Sequence, residues 1–186
     1  GPITRFGTEE QKSRWLPRLA KDALGAFALT EPGSGSDSAA LVTRAVRSGN
    51  EYVLNGSKTF VTNGKYADLF VLMARTNPAK HRGITAFLVE RGSPGLKIGK
   101  TIDKMGIRGS DTVELSLEDC RVPAKNLLDG EGHGFRVAMQ SLDGGRIGVA
   151  AQALGIAQAS LEAATRYARD RYQFGKPIAE FQAIQW

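Results

Sequence analysis

Residues 29–37 read Leu-Thr-Glu-Pro-Gly-Ser-Gly-Ser-Asp, small and hydroxyl-bearing, directly after an apolar run. Thr30, Ser34 and Ser36 offer hydroxyls that donate and accept hydrogen bonds. Gly33 and Gly35 tolerate unusual backbone angles and let another molecule reach the main chain. Such a stretch suits a surface turn, or a loop that binds phosphate. A second candidate is Asp143-Gly144-Gly145-Arg146. An Asp and Arg at this spacing near a helix start can hold polar ligand groups by charge-assisted hydrogen bonds, or can form an ordinary ion pair.

Other familiar chemistries are excluded by spacing. Gly95-Leu96-Lys97-Ile98-Gly99-Lys100-Thr101 nearly imitates a triphosphate loop, but three residues rather than four separate its glycines. It reads as strand and turn. No G-x-G-x-x-G joins a strand to a helix, and no Ser stands in a G-x-S-x-G elbow. His81 and His133 have no partner at metal-ligand spacing, so no metal site is expected and both read as surface residues. Cys120 is the single cysteine, which excludes an intrachain disulfide and favours a reducing compartment. Asn55-Gly56-Ser57 fits a glycosylation acceptor, yet Asn-Gly is also a favoured hairpin turn and is read as one.

The net charge of +6 suits a phosphate-bearing small molecule or nucleic acid. Scattered basic residues without interleaved aromatic platforms argue against nucleic acid. No apolar run approaches the roughly 20 residues needed to cross a bilayer, and the N-terminus lacks the apolar centre of a signal peptide. With 41% hydrophobic and 24% charged residues, the composition is that of a soluble globular chain.

Three textures follow one another. Thr8-Glu9-Glu10-Gln11 has capping-box spacing, so a helix starts there and Pro17 breaks or restarts it. From Ala26 to about Pro123 short alternating runs lie between turn residues, with turns expected at Ser48-Gly49-Asn50 and Asn55-Gly56. Helices of crossover length are missing, so an antiparallel barrel or a pair of packed sheets is expected rather than a parallel Rossmann sheet. From about His133 to Asp170 apolar residues such as Ile147, Ala151, Leu154 and Leu161 recur at helical steps, with Gln158 the polar exception. A second helix is expected from near Ile178 to Trp186. The chain reads as α+β, a slice of a longer protein.

Five segments taken together resemble one family. Ala28-Leu29-Thr30-Glu31-Pro32-Gly33-Ser34-Gly35-Ser36-Asp37 is similar to the first signature of the acyl-CoA dehydrogenases. Lys58-Thr59-Phe60-Val61-Thr62-Asn63-Gly64, residues 104–123, residues 142–158 and residues 171–185 follow in that family's order and spacing. Residues 141–158 are most similar to the short-chain, butyryl-CoA branch. The resemblance implies the end of an N-terminal helical domain at 1–26, a β middle domain at 27–127 and the start of a C-terminal helical bundle at 128–186.

The same resemblance implies FAD-dependent α,β-dehydrogenation of a short-chain acyl-CoA, with electrons passed to an electron-transfer flavoprotein. A flavin oxidase or monooxygenase of the same superfamily, and a non-catalytic acyl-CoA- or flavin-binding module, are the rival readings. FAD would be held by Phe27, Ala28, Leu29, Thr30, Ser36, Phe60, Val61 and Thr62, and by Arg171, Phe174 and Gln182 toward a neighbouring protomer of a homotetramer. Substrate would meet Ser36, Asp143, Gly144, Gly145 and Arg146. Phe60 stands where the family often has Trp, keeping a stacking face without the indole donor. No catalytic carboxylate is assigned: Gly145 occupies the base position of one minority branch, and the majority position lies beyond Trp186. Glu131, Asp143 and Glu180 match neither place. The implied location is the bacterial cytoplasm or the mitochondrial matrix, without a membrane or nucleic-acid partner.

Overall fold

Thr8 begins the longer of two N-terminal helices, α1 (Pro2–Phe6) and α2 (Glu9–Lys21). Its hydroxyl accepts the Gln11 amide at 3.2 Å, and the Gln11 side chain accepts the Thr8 amide at 3.1 Å. Both halves of the capping box therefore form. The computed structural model, which describes Gly1–Trp186, carries α2 straight through Pro17. The proline removes one helical hydrogen bond, but tertiary anchors hold the turns on either side. Trp15 is buried, and the Gln11 side-chain Nε2 donates to the Lys125 and Leu127 carbonyls at 2.9 and 2.8 Å.

The chain separates into two units, Gly1–Ser141 and Leu142–Trp186. The first contains β1 (Gly25–Ala28), β2 (Arg44–Ser48), β3 (Glu51–Thr62), β4 (Leu69–Arg75), β5 (Ile84–Glu90), β6 (Leu96–Thr101), β7 (Thr112–Pro123) and β8 (Leu127–Leu128). Their order is β6-β7-β3-β2-β4-β5-β8, with β1 also on β4. A single residue pair, Arg44 with Arg75, joins β2 to β4, so the strands form two packed layers rather than a closed barrel. Most neighbours are antiparallel, as expected. The exceptions both involve β4: β1 runs parallel to it over four residue pairs without a crossover helix between them in the sheet, and the single Arg44–Arg75 pair with β2 is parallel too.

Packing explains the layer that contains β4. Phe70, Leu72 and Ala74 point into a core shared with Leu54, Val61, Val113 and Leu115 of the other layer. The alternate residues Leu69, Val71 and Met73 are buried as well. Leu69 and Val71 line a pocket with Phe27, Ile3, Leu16 and Leu19, so α1 and α2 cover that face. A strand buried on both sides reads as a continuous apolar run, which is what residues 69–74 are.

Asn55-Gly56 is not a turn. It lies inside β3, which makes a bulge there against β7. Gly56 has φ 149°, and a Cβ at this position would stand 2.5 Å from the Thr43 hydroxyl oxygen. Asn55 exchanges two hydrogen bonds with Asp119, at 3.0 and 2.9 Å, that tie the bulge to β7. The hairpin turn is the preceding one, where Gly49 has φ 60° and Ser48 pairs with Glu51.

A 37-residue helix, α3 (Gly134–Asp170), begins at the end of the first unit and continues into the second. In the second unit it is followed by a hairpin, β9 (Tyr172–Gln173) and β10 (Lys176–Pro177), a 3₁₀ turn at Ile178–Glu180 and α4 (Gln182–Gln185). The expected second helix is thus split. Phe181 leaves helical angles at ψ 131°, and only four residues form α4. No helix of the chain is long and apolar enough to cross a membrane.

Candidate functional site

Residues 29–43 fold into a tightly pinned loop. Glu31 and Ser34 exchange backbone hydrogen bonds, each 3.0 Å, around Pro32 and Gly33. The Ser34 hydroxyl then donates to the Asp37 carbonyl at 2.8 Å. Arg75 braces the far end, donating to the Ala39 and Leu41 carbonyls at 2.7 and 3.1 Å. A Cβ added at Gly33 or Gly35 would meet nothing within 4 Å, so the outer side of the loop is open to an approaching group.

The loop is joined to the second expected segment by one backbone bond, Thr59 amide to Thr30 carbonyl, 2.9 Å. Immediately beyond it β3 breaks register with β7 between Lys58 and Val61. This irregularity turns Phe60 outward with φ 55° and 63% exposure, while Val61 is fully buried behind it. Phe60 is therefore not an inward strand residue. A bulky aromatic at positive φ costs on the order of 1–3 kcal/mol, and such strain gathers at functional sites. Thr62 is exposed on the same strand, Thr30 is half-buried, Ala28 and Leu29 are buried, and Ser36 lies at the exposed tip. Phe27 turns toward the pocket under α1 and α2.

Glu31 and Lys58 lie outside the set of residues to which the sequence points, yet they hold that set together. The Lys58 ammonium is wholly buried, 2.7 Å from Glu31 Oε1 and 3.1 Å from the Leu29 carbonyl. Glu31 also accepts the amides of Val42 and Thr43 at 2.7 and 3.1 Å. The available signal was an acid inside the hydroxyl-rich stretch and a lysine heading an otherwise apolar and hydroxyl strand segment.

Burial raises the Glu31 pKa, but Lys58 and the surrounding donors more than offset this and hold it below the usual carboxylate value. Burial drives the Lys58 ammonium down to about 8, against the opposing pull of Glu31. The two signs differ in their linkage to stability. Glu31 contributes stability above its unfolded pKa of about 4.3, and this is lost as pH falls through the lower folded value. Charged Lys58 costs stability below about pH 8, and that cost disappears as pH rises toward its unfolded value. The stability gap between wild type and Glu31→Gln is accordingly expected to shrink as pH is lowered from about 5 to about 3. Thermal melts of both proteins across that range check it.

A cleft of about 400 Å³ adjoins the exposed end of β3, lined by Lys65, Tyr66, Lys104, Arg108 and Asp111 among others. Lys104 donates to the Ser110 carbonyl and, at 3.0 Å, to the Thr112 hydroxyl, fixing the loop before β7.

In the second unit, Asp143, Gly144, Gly145 and Arg146 lie within α3 rather than at its start, and all are exposed. Asp143 and Arg146 stand 3.7 Å apart, an ion pair outside hydrogen-bond distance. The hairpin after α3 turns at Phe174 and Gly175, with φ 51° and 79°. Phe174 is 93% exposed, with its ring edge-to-face against Phe181 at 6.2 Å. The main chain of Arg171 closes the hairpin: its amide donates to Tyr167 and its carbonyl accepts Ile178, both 2.8 Å. Its side chain and that of Gln182 are exposed. His81 stacks on Phe135 and His133 is exposed, both at the surface as expected. Glu131 accepts the Tyr52 hydroxyl at 2.8 Å.

Residues 26–120 match the family description "Acyl-CoA dehydrogenase, middle domain", and residues 132–186 match "Acyl-CoA dehydrogenase, C-terminal domain". The chain belongs to the acyl-CoA dehydrogenase family. It is 55% identical to acryloyl-CoA reductase (NADH) of Anaerotignum propionicum, over 99% of this chain and 48% of that protein. The structure of butyryl-CoA dehydrogenase from Megasphaera elsdenii superposes with a TM-score of 0.93 at 52% identity, over 99% of this chain and 49% of that one. A glutaryl-CoA dehydrogenase from Mycobacterium smegmatis in complex with FADH2 gives 0.90 at 41% identity, over 99% and 47%. The chain spans about half the length of the curated relatives that it matches.

Proposed function

We propose that the chain is the flavin- and substrate-contacting half of a short-chain acyl-CoA dehydrogenase, which removes hydrogen from the α and β carbons of the thioester. One observation carries the reading: the Phe60 ring is held outward at positive φ, one residue from the bond that joins β3 to the Thr30 loop. FAD, when bound, supplies the hydride acceptor that no side chain can provide. The residues fit such a group. Phe60 offers a ring face, the Thr30 and Thr62 hydroxyls offer hydrogen bonds, and Ala28, Leu29 and Val61 back them from the core. The FADH2 complex of the Mycobacterium smegmatis relative supports this choice of cofactor.

The substrate's polar groups would meet Ser36 at the loop tip and Asp143 and Arg146 on α3. Gly144 and Gly145 cost about 1 kcal/mol each relative to Ala in a helix, and a Cβ there would meet nothing within 4 Å. Both features suit a ligand that lies against the helix backbone. The general base is assigned to no residue between Gly1 and Trp186. Electron-transfer flavoprotein is the electron partner, and Arg171, Phe174 and Gln182 serve the cofactor of a neighbouring subunit.

The name of the Anaerotignum relative favours a second reading, in which the same carbon–carbon bond is reduced at the expense of NADH. Anaerobic addition of butyryl-CoA to the purified full-length protein is expected to bleach a bound flavin. An NADH-driven reduction of acryloyl-CoA without turnover of butyryl-CoA would favour the second reading. Rapid reoxidation by oxygen would mark an oxidase. Thr62→Val keeps the volume and removes one hydroxyl, worth about 1 kcal/mol as a hydrogen bond. A shifted flavin spectrum or potential with little change in melting is expected, and an unaltered spectrum and potential would reduce Thr62 to a strand residue.

A further inference from the structure

Three consecutive residues of the hydroxyl-rich loop are each held by one of two consecutive residues of β3. Lys58 Nζ binds the Leu29 carbonyl at 3.1 Å and the Glu31 carboxylate at 2.7 Å. Between them, the Thr59 amide binds the Thr30 carbonyl at 2.9 Å. Phe60, the outward aromatic, is the next residue along. From these contacts we infer that Lys58 and Glu31 are positioning residues, a buried clamp that sets the register of Thr30 against Phe60 and Thr62. The inference rests on the flavin reading above and adds to it two charged residues that need not touch the cofactor.

The clamp is an unexpected use of two charges. Lys58 is completely buried and Glu31 nearly so, with side-chain exposures of 0% and 3%. Lys58 has no exposure to water and Glu31 almost none, so each relies on its partners for solvation. Lys58 spends its donors on the two residues flanking Thr30, and Glu31 spends its acceptors on Lys58, Val42 and Thr43. The loop from 29 to 43 is thus tied at both of its ends to one side-chain pair. An apolar pair of similar volume can match a buried ion pair in stability, whereas removing one partner strands a charge. Such a pair can instead specify a single arrangement, and here that arrangement places Thr30. A flexible lysine alone would not hold a register; a lysine with two fixed acceptors does.

Stability and register can be separated experimentally in the full-length protein. Lys58→Met strands the Glu31 carboxylate, and a fall in melting temperature on the order of 10 °C is expected. Adding Glu31→Gln removes the stranded charge, and most of the lost melting temperature is expected to return. The flavin readouts are expected not to return. In the double variant, with the Leu29 tether gone, the FAD dissociation constant rises about tenfold, as the loss of one well-placed interaction implies. The flavin absorbance maximum and reduction potential shift with it. Tyr52→Phe, which breaks only the bond to Glu131, serves as a destabilised control with unaltered flavin properties. Should the single variant fail to fold, the double variant and Glu31→Gln alone carry the measurement. A folded double variant with wild-type FAD affinity, spectrum and potential overturns the clamp. A wild-type protein that binds no FAD overturns the flavin reading itself, and the clamp with it.

Discussion

Phe87→Ala is expected to destabilise the β-domain by about 3–5 kcal/mol, the usual consequence of emptying a fully buried aromatic site. Phe87 is completely buried on β5, paired with Leu72 of β4 on one side and Leu127 of β8 on the other. Its ring meets Tyr52 of the opposite layer edge-to-face, with centroids 5.2 Å apart. The two layers share only one backbone pair, so side chains such as these hold them together. The loss extends past the cavity, because Tyr52 aims its hydroxyl at Glu131 ahead of α3. A drop in melting temperature on the order of 10 °C follows from the size of the unit. Val46→Ala on the exposed face of β2 serves as the comparison and is expected to stay within about 0.5 kcal/mol. Urea melts at unchanged m-value check both. Equal effects for the two variants would mean that the core does not join the layers as described.

Arg171→Ala is expected to lower FAD affinity about a hundredfold while leaving the fold of the chain intact. The main chain of Arg171 already closes the hairpin, through Tyr167 and Ile178, and neither bond needs the guanidinium. Its side chain is exposed, so the charge is free for a phosphate. A planar fork can bind two phosphate oxygens at once, and truncating one partner of such a charged pair typically costs 2–5 kcal/mol. The adjoining turn supports a ligand role. Phe174 is almost fully exposed at positive φ, a conformation for which glycine or asparagine would be easier. If this arginine serves the neighbouring subunit's cofactor, dilution to monomer releases FAD in the wild type as the substitution does. Flavin titration of both proteins across a concentration series is the measurement. A dilute monomer that keeps its FAD as tightly as the assembled protein would remove the shared site.

The local elements of the fold were legible in the sequence because their causes are local. A hydroxyl and an amide three residues apart cap α2, whatever surrounds them. The helical repeat of small and apolar residues specifies α3 within a residue of its observed limits. Asn55-Gly56 shows where local chemistry fails. Two residues with the preferences of a hairpin turn are used instead for a bulge, because Thr43 needs the space of a missing Cβ and Asp119 needs the Asn55 amide. Pro17 likewise signals a break, which the burial of Trp15 and the Gln11 anchors override.

The sequence by itself determined α3, the capped start of α2, the strand-rich middle and the family, since these depend on spacing along the chain and on ordered motifs. It also determined which side chains were candidates for chemistry, Thr30, Phe60 and Thr62 among them. Tertiary structure alone decided which of them meet. Glu31 and Lys58 are 27 residues apart and look like ordinary surface charges, yet no water reaches Lys58. The direction of the Phe60 side chain depends on a register break between β3 and β7, whose residues lie some fifty positions apart. Burial and register are properties of pairs brought together by the fold, and period-two patterning carries neither once a bulge intervenes.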